Sequence, residues 1–294
     1  MKIAVGLPSN IAGVSGERLV EWAARAEKAG FSSLVATDRF AWDQLDPVAA
    51  LAAAAAVTST IGLRLSVVLV PNRGSAAQLA KQLATVDALS GGRLVVGVGV
   101  GDREIDYRLA GSEHRGRHRR LEEMLDEMLA VWSGEADRAV IGPRPAGGAL
   151  PLMMGGSGEP TWGRAAKYGA GWTMAVGGPP DFASGADAVR RAWAEHGRTE
   201  APTLAAQRYF CLAEAGRSQA QAWLRDYFGF LGPGAEWVVR GAPLDADALR
   251  GTIDAFAAAG ADELAFLPTS ADPAELELLA AAALPAAAAA AGSR

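Results

Sequence analysis

Cysteine is almost missing from this chain: Cys211 stands alone among 294 residues, so no intrachain disulfide can form and the composition fits a reducing compartment. Basic residues are not in excess either. The formal net charge of -5 excludes an extended nucleic-acid face, which needs clustered Lys and Arg. The one basic cluster, Arg115 to Arg120, is followed by Glu122, Glu123, Asp126 and Glu127 and reads as a solvated helix face. No apolar run reaches the roughly 20 residues of a membrane span. The run before Pro8 is only five residues long, too short for a signal-peptide core, so the expectation is a soluble cytoplasmic protein with no membrane or nucleic-acid partner. A dinucleotide fingerprint is also lacking. Gly97-x-Gly99-x-x ends on Asp102 and Gly99-x-Gly101-x-x on Glu104, where Gly-x-Gly-x-x-Gly needs a third glycine. An open NAD-binding sheet would also need a glycine-rich turn after the first strand, and Pro8-Ser9-Asn10 stands there instead.

What is abundant is apolar sequence broken by glycine. Half of the residues are hydrophobic, enough for one large core, and α/β barrels run to about 250 residues as one domain. Four times an Ala-rich helical pattern ends at glycine and a β-type run follows: at Gly30, at Gly91-Gly92, at Gly169 and at Gly260. Each reads as a left-handed helix cap feeding a strand. Strands are expected to begin near Ile3, Ser33, Leu65, Leu94, Pro151, Trp172, Leu204 and Glu263. Helices are expected at Glu17 to Ala29, Pro47 to Thr58, Ser75 to Leu89, Arg117 to Trp132, Pro160 to Tyr168, Asp187 to His196, Ser218 to Phe230 and Asp245 to Ala259. Eight of each specify a (β/α)8 TIM barrel, with residues 1–284 as one domain and 285–294 as an Ala-rich tail.

In such a barrel the active site lies on the loops after the strands. The stretch Gly91 to Asp102 reads as a strand buried on both faces, whose glycines beyond Val98 let the backbone approach a ligand before Asp102 emerges. Gly155-Gly156-Ser157-Gly158 follows Leu152-Met153-Met154 and precedes a helix. Its amides and the Ser157 hydroxyl suit a phosphate, although an ordinary strand-to-helix turn has the same composition. Phe40, Trp42 and Tyr107 fall on mouth loops as aromatic walls for a substrate. His114, His118 and His196 read as surface residues, no metal ligands are expected, and Cys211 reads as a small buried hydrophobe.

Several segments in order resemble the luciferase-like flavin- or F420-dependent oxidoreductases. They are Ala24-x-x-Ala-x-x-Ala-Gly30-Phe31-x-x-Leu34 with Thr37-Asp38, Asp46-Pro47, Leu83-x-x-x-Asp87-x-Leu-Ser90-Gly-Gly-Arg93 running on to Gly97-x-Gly99-x-Gly101, and Arg117-x-x-x-Leu121-x-Glu123. Gly155-Gly156, Gly169-x-Gly171-Trp172 and Gly260-Ala-Asp262-Glu263-Leu264 continue the series. The resemblance implies a barrel holding FMN or F420 at its C-terminal mouth and moving a hydride, in some members onward to oxygen. It implies a cis peptide at Val67-Val68 against which the ring leans, Gly99, Gly101 and Asp102 near the ring edge, and Gly155 to Gly158 on the cofactor phosphate. Asp38 and Asp102 become candidate catalytic groups together with Arg39, which stands where several relatives carry His. Arginine stays charged and cannot shuttle protons near neutral pH. It could anchor a substrate or cofactor oxygen or form a rim salt bridge with Asp43 or Asp46. Arg39, Arg73 and Arg103 together could form a cationic path for the acidic tail of F420.

The resulting expectation is an FMN- or F420-dependent oxidoreductase acting on a small organic molecule, with monooxygenase chemistry as a variant of it. The alternative is a non-catalytic flavin-binding barrel, an accessory or storage protein, since fold and a phosphate loop do not establish chemistry. A homodimer is expected, through the helices Pro47 to Thr58 and Ser75 to Leu89.

Overall fold

The computed structural model describes residues 1–135 and 141–291, with side chains through Leu284. Eight parallel strands close in sequence order: β1 (Lys2–Gly6), β2 (Ser33–Ala36), β3 (Gly62–Leu69), β4 (Leu94–Gly99), β5 (Leu152–Gly155), β6 (Gly171–Met174), β7 (Thr203–Phe210) and β8 (Glu263–Pro268). Around them lie α1 (Gly16–Ala29), α2 (Pro47–Val57), α3 (Ala76–Ser90), α4 (Glu104–Leu109), α5 (Arg117–Ser133) and α6 (Glu159–Tyr168). The later helices are α7 (Pro179–Glu195), α8 (Arg217–Tyr227), α9 (Ala235–Gly241), α10 (Ala246–Ala258) and α11 (Pro273–Ala291). The (β/α)8 TIM barrel therefore forms as the helix-glycine-strand pattern demands. Of the expected tail, residues 285–291 continue the backbone of α11, and residues 292–294 lie outside the described residues. No helix among the described residues is long and apolar enough to cross a membrane.

The helices start where short polar side chains can satisfy their first amides. Ser15 accepts from Arg18 N, Asp46 from Val48 N and Ala49 N, Ser75 from Gln78 N and Asp245 from Ala248 N. They stop at left-handed Gly30 (φ 94°) and Gly91 (φ 68°). Gly169 departs from that reading, because it is extended (φ -101°). It is needed for a close approach instead: a Cβ there would stand 2.9 Å from Ala165 O and 3.0 Å from Leu152 O.

Other boundaries also differ from expectation. β3 begins at Gly62, three residues early, and the β4 loop folds into α4. α7 begins at Pro179 rather than Asp187, because two prolines at the first helical positions lack amides that would go unpaired there anyway. The sequence-based count of eight helices placed two between β7 and β8 and none after β8. In the structure three helices and two 3-10 turns fill that link, and α11 follows β8.

Alternation along each strand divides the core. Ile3, Val5, Leu34, Leu63, Leu65, Val96, Val98, Leu264 and Phe266 pack outward against the helices. The inward set mixes small and polar residues with Val35, Tyr209 and Leu267. Arg64 pairs with Glu263 at 3.2 Å near the N-terminal end, Ser66 Oγ lies 3.3 Å from Thr173 Oγ1 further up, and Gln207 and Tyr209 stand towards the mouth.

Outside the barrel Glu27 pins the α2–β3 turn, accepting from the amides of Ser59, Thr60 and Ile61 and from the Thr60 hydroxyl. Partial burial pushes its carboxyl up, but these four donors outweigh that and hold it down to about 2. A depressed carboxyl contributes stability that is present above its ordinary value near 4.3 and is lost as pH falls towards the folded value. Glu27→Gln is therefore expected to cost about 1 kcal/mol at pH 7, after allowance for solvent screening. Urea unfolding at pH 7, 4 and 3 should show the gap between variant and wild type narrowing as pH falls.

Candidate active site

The C-terminal mouth is organised by a wedge from β3. A cis peptide joins Ser66 to Val67, one bond earlier than the expected Val67-Val68, and the register with β4 shifts between Leu65 and Val68. Val67 lines the mouth, whereas Val68 is fully buried in the cluster that faces the helices and is no ring contact. Three glycines make room for the wedge. A Cβ on Gly97 would collide with Leu65 O and stand 3.1 Å from Val67 Cγ1. One on Gly99 would meet Val67 Cγ2 at 2.7 Å, and one on Gly155 would meet Val67 Cγ1 at 2.5 Å. These glycines thus admit a valine side chain first, and only through it do they shape a ligand surface.

Above the wedge lies a cavity of about 290 Å³ whose lining includes Asp38, Arg39, Val67, Leu69, Gly101, Asp102, Gln207, Tyr209 and Tyr227. A smaller cavity of about 120 Å³ adjoins it, sharing Ala175, Val176, Gln207 and Tyr209 and adding Arg208, Asp181 and Trp237. The structure brings Asp38, Arg39, Val67, Gly101 and Asp102 together. The loop Gly155 to Gly158 lies outside this lining, around the rim at the start of α6. There Gly156 (φ 120°) and Gly158 (φ 89°) take conformations that favour glycine, Ser157 is exposed, and Thr161 Oγ1 donates to Ser157 O at 3.2 Å. These features suit an anion at a helix start. Glu159 in the first turn opposes one.

The charged groups at the mouth already have partners. Asp38 Oδ2 accepts from Leu69 N at 3.0 Å and from Arg73 Nη2 at 2.7 Å, while Arg73 Nη1 reaches Asp46 at 2.7 Å. Burial pushes the Asp38 carboxyl up, and the Arg73 charge offsets only part of that. Arg103 pairs with Asp106 at 3.0 Å and donates to Ala41 O, and Asp106 accepts from Ala41 N. Asp102 is 76% exposed, with Arg117 at 3.4 Å.

Arg39 forms neither rim salt bridge expected of it. Its guanidinium lies 4.0 Å from the centroid of Trp42 and 4.6 Å from that of Tyr227, and it donates to Tyr227 O. Two aromatic faces and a carbonyl hold the cation where water would otherwise solvate it. Arg39, Arg73 and Arg103 consequently do not form an open cationic path.

The aromatic residues are redistributed as well. Tyr107 is 1% exposed and donates its hydroxyl to Val100 O, and burial pushes its pKa up to about 12. It fixes the β4 loop and is not a substrate wall, because the turn into α4 points it inward. His114, read as a surface residue, is half-buried against the Tyr107 ring at 5.1 Å. Phe40 is exposed, Trp42 packs on Trp223 and Tyr227, and neither is among the lining residues of the two cavities. Cys211 is buried as expected, its thiol pushed up to about 12 by burial and by Glu275.

The residues that the sequence reading missed come mostly from β7 and the link after it. Gln207 and Tyr209 continue the inward alternation Thr203, Ala205, Gln207, Tyr209, a period-2 signal available in the sequence. Tyr227, Phe228, Phe230 and Leu231 close the mouth from α8 and the 3-10 turn Gly229–Gly234. A segment of bulky apolar residues among glycines and a proline, in a link longer than a barrel needs, is the trace they leave.

Comparison with known proteins bears on the family and the fold. A family model described as luciferase-like monooxygenase matches residues 1–292. An F420-dependent glucose-6-phosphate dehydrogenase from Nakamurella multipartita is 29% identical over 182 residues, 56% of this chain and 53% of that protein. The chain spans between 53% and 61% of the length of the first curated relatives it matches. Two solved structures share the fold. An F420-dependent secondary alcohol dehydrogenase with an F420-acetone adduct superposes with a TM-score of 0.82 at 20% identity, over 97% of this chain and 99% of that one. The FMN-bound oxygenating constituent of 3,6-diketocamphane monooxygenase from Pseudomonas putida gives 0.75 at 19%, over 97% and 98%.

The wedge can be tested directly. Gly155→Ala is expected to destabilise the protein by about 2 kcal/mol through collision with Val67. Gly155→Ala combined with Val67→Ala should cost at least about 1 kcal/mol less than the sum of the two single changes, because the second removes the atoms the first strikes. Additive losses in denaturant unfolding would place the crowding elsewhere.

Proposed function

The chain belongs to the luciferase-like monooxygenase family, and from that premise we propose an FMN- or F420-dependent oxidoreductase that transfers a hydride to or from a small organic substrate at the barrel mouth. When bound, either cofactor supplies a ring that accepts or gives the hydride, and a reduced flavin extends the chemistry to oxygen. The observation that carries the reading is the Val67 wedge. It places an apolar, sterically enforced surface across the mouth, opposite the aromatic side chains of the β7–β8 link, so that two planar reactants can be held together with water excluded. Gly101 at φ 67° and Leu69 extend the Val67 side, while Gly156, Ser157 and Gly158 are the groups offered to the cofactor phosphate.

Asp38 has a positioning role in this reading. It fixes Leu69 through its amide and is itself fixed by Arg73. Arg39 braces the aromatic wall. Asp102 is the exposed carboxylate at the mouth best placed to interact with a reacting group. Catalysis is favoured over storage because the relatives and solved structures that this chain resembles are F420- or FMN-dependent dehydrogenases and monooxygenases. We also propose a homodimer through the outer faces of α2 and α3, where Val57 and Leu89 are 42% and 60% exposed. Leu89→Glu would then shift the sedimenting species to monomer.

The cofactor reading is tested by titrating purified protein with FMN and with F420, following absorbance and fluorescence. Saturable binding of at least one is expected, and binding of neither would overturn the proposal. Gly156→Asp puts a carboxylate against the phosphate and should weaken affinity by about 2 kcal/mol or more. Asp102→Asn should leave affinity intact and lower turnover. Unchanged affinity in Gly156→Asp would move the phosphate to another loop.

A further inference from the structure

We infer that the N-terminal end of the barrel, opposite the mouth, holds a second ligand site, which takes a small organic anion by its carboxylate or phosphate headgroup on Arg64, with Lys2 at the entrance. The inference does not depend on the oxidoreductase reading, because the cavity concerned shares no lining residue with those of the mouth.

The space lies between the starts of the strands. A cavity of about 860 Å³ is lined there by Lys2 from β1, Arg64 from β3 and Glu263 from β8, with Val95, Met153 and Pro202 as apolar wall. That volume is in the range of sites for small organic ligands, and the apolar wall suits a short carbon body.

Within this lining Arg64 is an incomplete cation. It is 2% exposed, and alternation along β3 turns it into the barrel between Leu63 and Leu65, which face the helices. Its Nε, Nη1 and Nη2 are all buried, and none makes a hydrogen bond among the described residues. The Glu263 carboxylate stands 3.2 Å from Nη2, but its Oε1 is held elsewhere, accepting from the Ser32 and Ser33 hydroxyls at 2.6 and 2.9 Å. Burial pushes the Arg64 pKa down, and the Glu263 charge offsets only part of that. The guanidinium donors are therefore left for another acceptor, since a buried donor without one is costly. Their fork matches the paired oxygens of a carboxylate or a phosphate.

The surrounding charge decides between an anion and water. The charged side chains of the lining are three cations, Lys2, Arg64 and Arg93, against two carboxylates, Asp262 and Glu263. Arg93 donates to neutral oxygens of Thr58, Ile61 and Ser90, and Lys2 is exposed at the edge. Both carboxylates have neutral donors of their own, Asp262 accepting from Leu204 N at 2.8 Å and Glu263 from the two serines. Water would supply acceptors to Arg64 but no charge, whereas an anion supplies both.

The test follows the methionine methyl groups by NMR in protein labelled there with carbon-13. Met153 lines the cavity, while Met154 beside it packs against the helices, so the pair separates binding at this end from a general response. Butyrate and butyl phosphate should move the Met153 signal saturably and leave Met154 in place, and the tighter of the two identifies the headgroup. Acetate should bind at least about threefold more weakly than butyrate, for want of two methylenes to bury. Lys2→Gln should weaken binding about threefold, the scale of one exposed charge pair. Glu263→Gln should tighten it at least about threefold by removing a like charge. The same variant should melt earlier than wild type in buffer free of carboxylates and phosphates, and recover when butyrate or butyl phosphate is added. Arg64→Met combined with Glu263→Gln removes both charges together, so that neither is left buried alone, and should abolish the Met153 response. No saturable shift with either anion, acetate matching butyrate, weaker binding in Glu263→Gln, or equal affinity in wild type, Lys2→Gln and the double variant would each overturn the inference.

Discussion

The insertion of the Val67 side chain into the barrel is the constraint from which the rest of the mouth follows. A TIM barrel normally fills its interior with bulky branched side chains from all strands. Here β4 and β5 give up their side chains at Gly97, Gly99 and Gly155 so that one valine from β3 can occupy the space. The valine forms a surface across the mouth, where it lines the cavity. The adjoining elements then inherit their tasks. Leu69, just beyond the wedge, is held by Asp38 through its amide, and Asp38 is held by Arg73, so the polar lock serves the apolar surface.

The arginines of the mouth show the same economy. Each occupies a place where a cation might have met a ligand, and each is consumed by structure: Arg73 ties β2 to α2 through Asp38 and Asp46, Arg103 ties the β4 loop to the β2 loop, and Arg39 ties the β2 loop to α8 through two rings. Arginine suits this use because its planar, weakly hydrated cation stacks and donates in several directions at once. The result is a mouth stiffened by charge yet presenting little net charge to what enters it.

The barrel itself was legible in the sequence because its signals are local. Capping residues, glycine stops and buried valine runs act within a few residues of where they are written, and they placed all eight strands to within three residues. The wedge was half legible. Gly97, Gly99 and Gly155 announced that something must come close, but which group came close is a relation between three strands, and no single stretch encodes it. Tyr107 misled because a loop aromatic looks the same whether it faces solvent or folds under its own turn. Arg39 misled because its partners, Trp42 and Tyr227, lie 3 and 188 residues away, and the more distant was assigned to an outer helix.

The β7–β8 link carries the aromatic side of the mouth. Eight strands fix the position of the mouth, and the wedge fixes one side of it, but Tyr227, Phe228, Phe230 and Leu231 all come from one excursion between β7 and α10. Their ring contacts run through Trp42, Trp223, Tyr209 and Tyr227 as one connected cluster, anchored to the β2 loop by Arg39. The link also shares a buried cluster with inward residues of β1, β2, β7 and β8, among them Ala4, Val35, Tyr209, Ala265 and Leu267, so a change in it reaches the strands beneath. The two walls of the cavity are nevertheless built by different parts of the chain, the β3 wedge and the β7–β8 link, and a connection on a rigid strand frame is the part of a barrel that can change most without loss of the fold.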